Sequence, residues 1–146
     1  MFEQNFKMTD IFKQIDQFEE ETNNLLVQDL IRTLKRLVDK ARAKTAAEKS
    51  FNNITWNLRA SIGGVVVRNG SVVFSYFPRI AGGPEGAKNG PAYAREIALL
   101  QDDGDIMIIM VAGMDYARFV EAKGKDVITG SSEHFMEIFK QELINN

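Results

Sequence analysis

His134 is the sole histidine in a chain without cysteine, so any imidazole-based chemistry has to pass through it. A Ser-His-Asp relay needs a nucleophile beside that ring, and no Gly-x-Ser-x-Gly elbow accompanies it. Its place in the first turn of an expected helix predicts an exposed or helix-capping polar residue. Asp102, Asp103 and Asp105 would suit a metal only if they converged. A calcium loop carries acids at its first, third and fifth positions before a glycine. Counting back from Gly104 places Leu99, Gln101 and Asp103 there, which points to a solvated turn. The run Gly82-Gly83-Pro84-Glu85-Gly86-Ala87-Lys88-Asn89-Gly90 resembles a phosphate cradle in glycine content alone. It lacks the Gly-Lys-Ser/Thr ending, and Glu85 would repel a phosphate. Met107, Met110 and Met114 lie in or beside an apolar run, where filling a core is the expected use of a thioether. Paired carboxylates for glycoside-type chemistry require a separation in space that residue order does not give. No catalytic residue, cofactor site or metal site is therefore expected.

The chain has 146 residues, a length that suits one domain, expected to span 1–146. With 45% hydrophobic and 26% charged residues it has the composition of a folded globular protein. The absence of cysteine removes disulfides and thiolate zinc sites, and it suits a reducing compartment. The longest apolar run, Ile106 to Gly113, is too short to span a membrane, and the start lacks the basic and apolar regions of a secretory signal. A net charge of −2 speaks against a protein that coats nucleic acid. Residues 32–49 are basic but hold no aromatic, so they are expected to form a solvated helical face. The small total hides blocks. Residues 1–29 carry −5, residues 30–50 carry +5, residues 51–101 carry +3 and residues 102–146 carry −5. Such a distribution suits head-to-tail contact between protein surfaces.

Residues 1–50 are expected to form a helical arm, started by Thr9 or Asp10. Ile11, Ile15, Phe18, Thr22, Leu25, Leu26 and Asp29 recur at helical spacing, and Leu30, Leu34, Leu37, Val38 and Ala41 continue the stripe. A bend is expected near Glu19–Asn24, where three like charges precede two asparagines. The stripe packs on the chain's own sheet or reaches a neighbouring subunit. Residues 51–146 form the expected α+β body: a short helical turn at Trp56–Ala60, then a hairpin turning on Asn69-Gly70. Counting outward pairs Val67 with Val72, Val66 with Val73, Val65 with Phe74 and Gly63 with Tyr76. Both hairpin faces are apolar, so each needs a cover. Residues 78–91, with Pro78, Pro84, Pro91 and four glycines, are expected to be a mobile loop, and Pro91 to open a helix whose face is Tyr93, Ile97 and Leu100. Asp105–Val111 reads as a strand buried on both sides, Asp115–Glu121 as a helical turn and Val127-Ile128 as a brief strand. Ser131 or Ser132 is expected to cap a C-terminal helix with Phe135, Ile138, Phe139 and Leu143 inward.

Two segments carry a resemblance. Thr55-Trp56-Asn57-Leu58-Arg59-Ala60-Ser61-Ile62 resembles the Thr-Gly-x-Leu-Arg-x-Ser-Ile stretch of small siphophage neck proteins, and Asp115-Tyr116-Ala117-Arg118-Phe119-Val120-Glu121 resembles their Tyr-Ala-x-Tyr-Val-Glu segment. The family is the head–tail connector or tail-completion group typified by gene product ten of the lambdoid HK phages. The order of elements agrees over roughly residues 30–146. Trp56 stands where the family has glycine, Ala122-Lys123-Gly124-Lys125 replaces an aromatic-Gly-Thr ending, and residues 78–104 look like an insertion. The resemblance implies a non-enzymatic phage or prophage structural protein that self-associates on assembly in a ring. Its partners would be connector, portal-adjacent or tail proteins, with no nucleic acid, membrane or small-molecule substrate. It would occupy the bacterial cytoplasm and then the virion. The matched positions Leu58, Arg59, Ser61, Ile62, Tyr116, Ala117, Phe119, Val120 and Glu121 are the candidate motif or interface residues. Arg59 and Glu121 are expected to pair, and Tyr116 and Phe119 to anchor a core or an interface. The competing readings are a small-molecule or peptide-binding module of bacterial origin, with 78–91 as its lid, and a hydrolase working with carboxylates alone.

Overall fold

Apolar residues at helical spacing, with no glycine or proline before Gly63, build one long helix, α1 (Met8–Ala43), in a computed structural model that describes residues 7–43, 56–100, 106–114 and 134–144. The helix begins with the amides of Asp10 and Ile11 bonded to the Lys7 carbonyl, so Thr9 and Asp10 lie inside its first turn. It is uninterrupted through Glu19–Asn24, where a bend was expected. Thr22 returns its hydroxyl to the Phe18 carbonyl at 2.8 Å, which satisfies the side chain without opening the helix. After α1 come α2 (Asn57–Ser61), β1 (Ile62–Arg68), β2 (Ser71–Tyr76), α3 (Pro84–Leu99), β3 (Ile106–Ala112) and α4 (Phe135–Ile144). The architecture is α+β, with an N-terminal helix, a small antiparallel sheet holding a hairpin, and a C-terminal helix.

Asn69 and Gly70 both adopt positive φ, 53° and 76°, as a two-residue hairpin turn demands. Val67 pairs with Val72 as counting predicts. Beyond it the register slips by one: Val66 faces Phe74, Val65 faces Ser75 and Gly64 faces Tyr76. A bulge absorbs the extra residue, and counting from a turn cannot see a bulge. The slip aligns Phe74 and Tyr76 on the side of α1, where the Lys35 ammonium lies over both rings at 5.3 and 6.0 Å.

The sheet order is β2-β1-β3, with both neighbours antiparallel to β1. Strands β2 and β3 thus run the same way, and the connection between them crosses over β1 and carries α3. This crossover puts α3 on the face opposite α1 and supplies the second cover that the hairpin needs. Val66 packs with Leu30, Leu34 and Val38 of α1, while Val65 and Val67 pack with Ala94 and Ala98 of α3. Strand β1 is accordingly buried on both faces. Among the described residues the strand from Ile106 is an edge of this sheet and mostly half-buried, not buried on both sides.

The segment 78–91 departs most from expectation. Helix α3 starts at Pro84, so residues 84–91 are helical and Pro91 lies inside the helix. Its buried positions are Gly86, Gly90, Ala94 and Ala98, a stripe of small residues. A Cβ at Gly86 would stand 1.8 Å from the Asn57 carbonyl oxygen, and one at Gly90 2.6 Å from that of Ser61. These glycines permit close approach to α2 instead of supplying freedom to a loop. Because the inner face is made of small residues, Tyr93 and Leu100 are exposed, and of the expected face only Ile97 packs inward.

Helix α4 lies on α1 through stacked Phe135 and Phe139, 5.5 Å apart, and buried Ile138. Leu143 is 46% exposed instead of facing inward. Glu142 turns inward in its place and meets Arg32 at 3.3 Å and Arg36 at 2.9 Å. Ser50–Asn53, Asp102-Asp103-Gly104, the turn at Asp115–Glu121, the strand at Val127-Ile128 and the caps Ser131 and Ser132 lie outside the described residues.

Candidate functional site: junction, groove and arm

The first motif segment forms the junction between α2 and β1. Leu58 is buried in a cluster with Ala41 and Ile62, against which Met110, Ala112 and Met114 pack. Ser61 is fully buried; its hydroxyl donates to the Leu58 carbonyl at 2.7 Å and its own carbonyl accepts the Gly113 amide at 3.2 Å. Ile62 opens β1 opposite Ala112. Arg59 is half-buried, and burial lowers its guanidinium pKa below the ordinary value. Leu58, Ser61 and Ile62 therefore act from inside the body, holding the junction. Tyr116, Ala117, Phe119, Val120 and Glu121 lie outside the described residues, as does the Arg59–Glu121 pair.

Arg42, which composition and spacing do not single out, fastens this junction. Its guanidinium donates to the carbonyls of Ile62 at 2.7 Å and Ala60 at 3.0 Å, and to that of Pro78. Three segments distant in sequence are tied by one planar fork, a task for which arginine is suited. Burial is the main cause that brings its pKa down to about 10; nearby Tyr76 and Asp39 oppose the shift and Arg59 adds to it. Tyr76 in turn donates to Asp39 at 2.8 Å, and burial followed by that bond raises its phenol above the ordinary value.

Trp56 precedes α2 with φ 64°, the left-handed region, which a bulky residue adopts at a cost of roughly 1–2 kcal/mol. Its indole is half-exposed and faces Gly82.

Two concavities flank α4. The first is an apolar groove of about 550 Å³ whose lining includes Leu30 and Leu37 of α1, Ile106, Ile108 and Met110 of β3, and Phe135. The second is polar, about 250 Å³, and is lined by Arg36, Lys40, His134, Glu137, Ile138 and Gln141. His134 is exposed and its Nδ1 lies 3.4 Å from Glu137, as a polar residue at a helix start. Among the described residues no group of three or more His, Cys, Asp or Glu could hold a metal ion.

The third feature is the N-terminal half of α1. Burial begins at Leu26 and Asp29; before that, only Ile11 and Asn23 are even half-covered. Met8, Phe12, Ile15, Phe18 and Leu25 are exposed, Phe18 by 72% and Leu25 by 66%. Met8, Phe12 and Ile15 lie in line with the side that buries Leu30, whereas Phe18 and Leu25 lie about 120° or more round the helix from it, and among the described residues nothing covers them. No helix of the described residues is long and apolar enough to cross a membrane.

No family model, no curated protein and no solved structure matches this chain.

Proposed function

We propose that this chain is a non-enzymatic structural protein of a phage or prophage. It serves head–tail joining or tail completion through protein–protein contacts in a ring-like assembly. The observation that carries the reading is the backbone at position 56. The neck-protein motif has glycine where this chain has Trp56, and the residue there has φ 64°, a conformation that glycine takes without strain. The chain thus keeps the backbone that the motif's glycine would serve while departing from the residue. The following Leu-Arg-x-Ser-Ile stretch leads from a short helix into a hairpin, the placement that the resemblance implies. The exposed apolar face of α1 suits a protein whose partners are other proteins.

The apolar groove favours a second reading, a module that binds an apolar small molecule or peptide, since its volume falls in the usual range for ligand sites. Among the described residues every lining residue is apolar, so these offer no side chain to orient a polar ligand. Residues 84–91, the larger part of the supposed lid, are packed helix.

Deleting the coding sequence from the phage or lysogen that carries it, and examining the lysate by electron microscopy, tests the first reading. The expected outcome is filled heads and free tails that do not join, with joining restored when the purified chain is added. Intact virions from the deletion strain would refute it.

A further inference from the structure

Helix α1 carries large apolar residues along its whole length, yet its two halves have different surroundings. From Leu26 onward it meets the sheet and α4; from Met8 to Leu25, roughly 27 Å at the helical rise, Arg68 reaches Asn24 at 2.7 Å, and among the described residues nothing covers the large apolar side chains. Spacings of three, four and seven residues among Met8, Phe12, Ile15, Phe18 and Leu25 place these side chains within a sector of about 140° round the helix. Such a face is what a helix lays into an apolar groove.

The body has a groove of that kind, walled by Leu30 and Leu37 on one side, Ile106 and Ile108 on the other, and Phe135. The arm of the same molecule cannot enter it. Leu30 and Leu37 belong to the helix that continues into the arm, and α1 runs without a break from Met8 to Ala43. Folding Phe18 back onto Leu30 would require a sharp break where there is none.

Charge selects the occupant. The arm carries Asp10, Asp16, Glu19, Glu20 and Glu21 against Lys7 and Lys13. Residues 30–43 of α1 carry Arg32, Lys35, Arg36, Lys40 and Arg42 against Asp39 alone. Beside the groove, Arg68 pairs with Ile106 across the sheet, and Arg36 and Lys40 line the polar pocket with Glu137 and with His134, the neighbour of Phe135; Arg36 is also paired with Glu142. Two arms side by side would bring acid against acid. An acidic arm on a basic body is attractive, and this chain supplies both surfaces.

We propose that the apolar face of the arm is seated in the apolar groove of a second copy of this chain, in a head-to-tail contact. The inference rests on the assembly reading above in one respect, that copies of the chain meet. A head-to-tail contact leaves one free arm and one free groove at the ends of any chain of copies, so it propagates and closes as a ring or continues as a filament. Arms that pair with arms would stop at a dimer.

The absence of cysteine makes the test direct. Full-length Phe18→Cys and Ile106→Cys variants are mixed and oxidised, across a concentration series reaching the millimolar range. The expected result is a mixed 18–106 disulfide that exceeds both homodimers and the product formed when Lys13→Cys, on the polar side of the arm, replaces Phe18→Cys. A second measurement uses Phe12→Asp with Phe18→Asp. Both residues are exposed, so helix content by circular dichroism should be unchanged while self-association, by sedimentation equilibrium, weakens at least about tenfold. A dominant 18–18 product, an 18–106 yield no greater than that of Lys13→Cys, or a chain monomeric throughout the series would each overturn the proposal. Because only the purified chain is used, the outcome is separable from the deletion experiment: a disulfide with intact virions removes the phage reading, and unjoined heads and tails without a disulfide remove the contact.

Discussion

Replacing Arg42 with Ala should lower stability by about 2–4 kcal/mol, because three carbonyls, two at the α2–β1 junction and one after β2, lose their donor at once. Arg42→Lys should recover only part of the loss, since an ammonium cannot present the same planar set of donors. Urea unfolding midpoints decide both. Tyr76 gives a second reading of the same region. Its phenol pKa is raised by burial and by the bond to Asp39, so the folded state holds the proton longer than the unfolded chain does. Its contribution to stability is therefore complete below the ordinary phenol pKa and is lost as pH rises through the higher folded value. An absorbance titration of the folded protein should contain a phenolate step above the ordinary value, and Tyr76→Phe should remove it. Residue order gave no warning of either group. Arg42 counts as one more base in a basic helix, and its partners are carbonyl oxygens, which every residue has.

At the scale of elements, α3 depends on the absence of side chains. Gly86→Ala and Gly90→Ala should each cost about 1–3 kcal/mol or more, because the new Cβ meets the backbone of α2, joined at Gly90 by the Phe77 ring. Lys88→Ala, on the exposed face of the same helix, should stay within about 0.5 kcal/mol. Chemical denaturation of the three variants tests the contrast. The same glycines show why this segment was illegible. Glycine and proline signal a loop when judged by local preference, and the benefit that overrides it is contact with α2, which no window along the chain contains. The hairpin was legible because Asn69-Gly70 is a local device; its bulge was not, because register answers to what packs on each face. The α+β order was likewise readable from periodicity and turns. The first motif could be located in the sequence, but its role as a buried junction required the fold.

For the whole molecule, the blocks of charge and the half-covered helix lead to one experiment. Removal of residues up to Thr22 should leave the thermal midpoint of the body nearly unchanged, since burial starts at Leu26. It should abolish self-association. Calorimetry reports the first and sedimentation the second. In the intact chain, raising salt from about 0.1 M to 1 M shortens the screening length from about 10 Å to 3 Å and should weaken association several-fold. An unchanged affinity would mean that the acidic arm and basic body do not attract.

One unbroken helix serves as both arm and core, and that has a mechanical consequence. A flexible linker would let a partner pull on the tip without the sheet registering it. Here the tip and Leu34, wedged against Val66, are points on one stiff rod. A sideways load at Phe18 becomes a torque about the place where burial begins, near Leu26, and Arg36, Glu142 and the aromatic pair of α4 resist it. The body is built so that a pull on its extremity is transmitted to its centre.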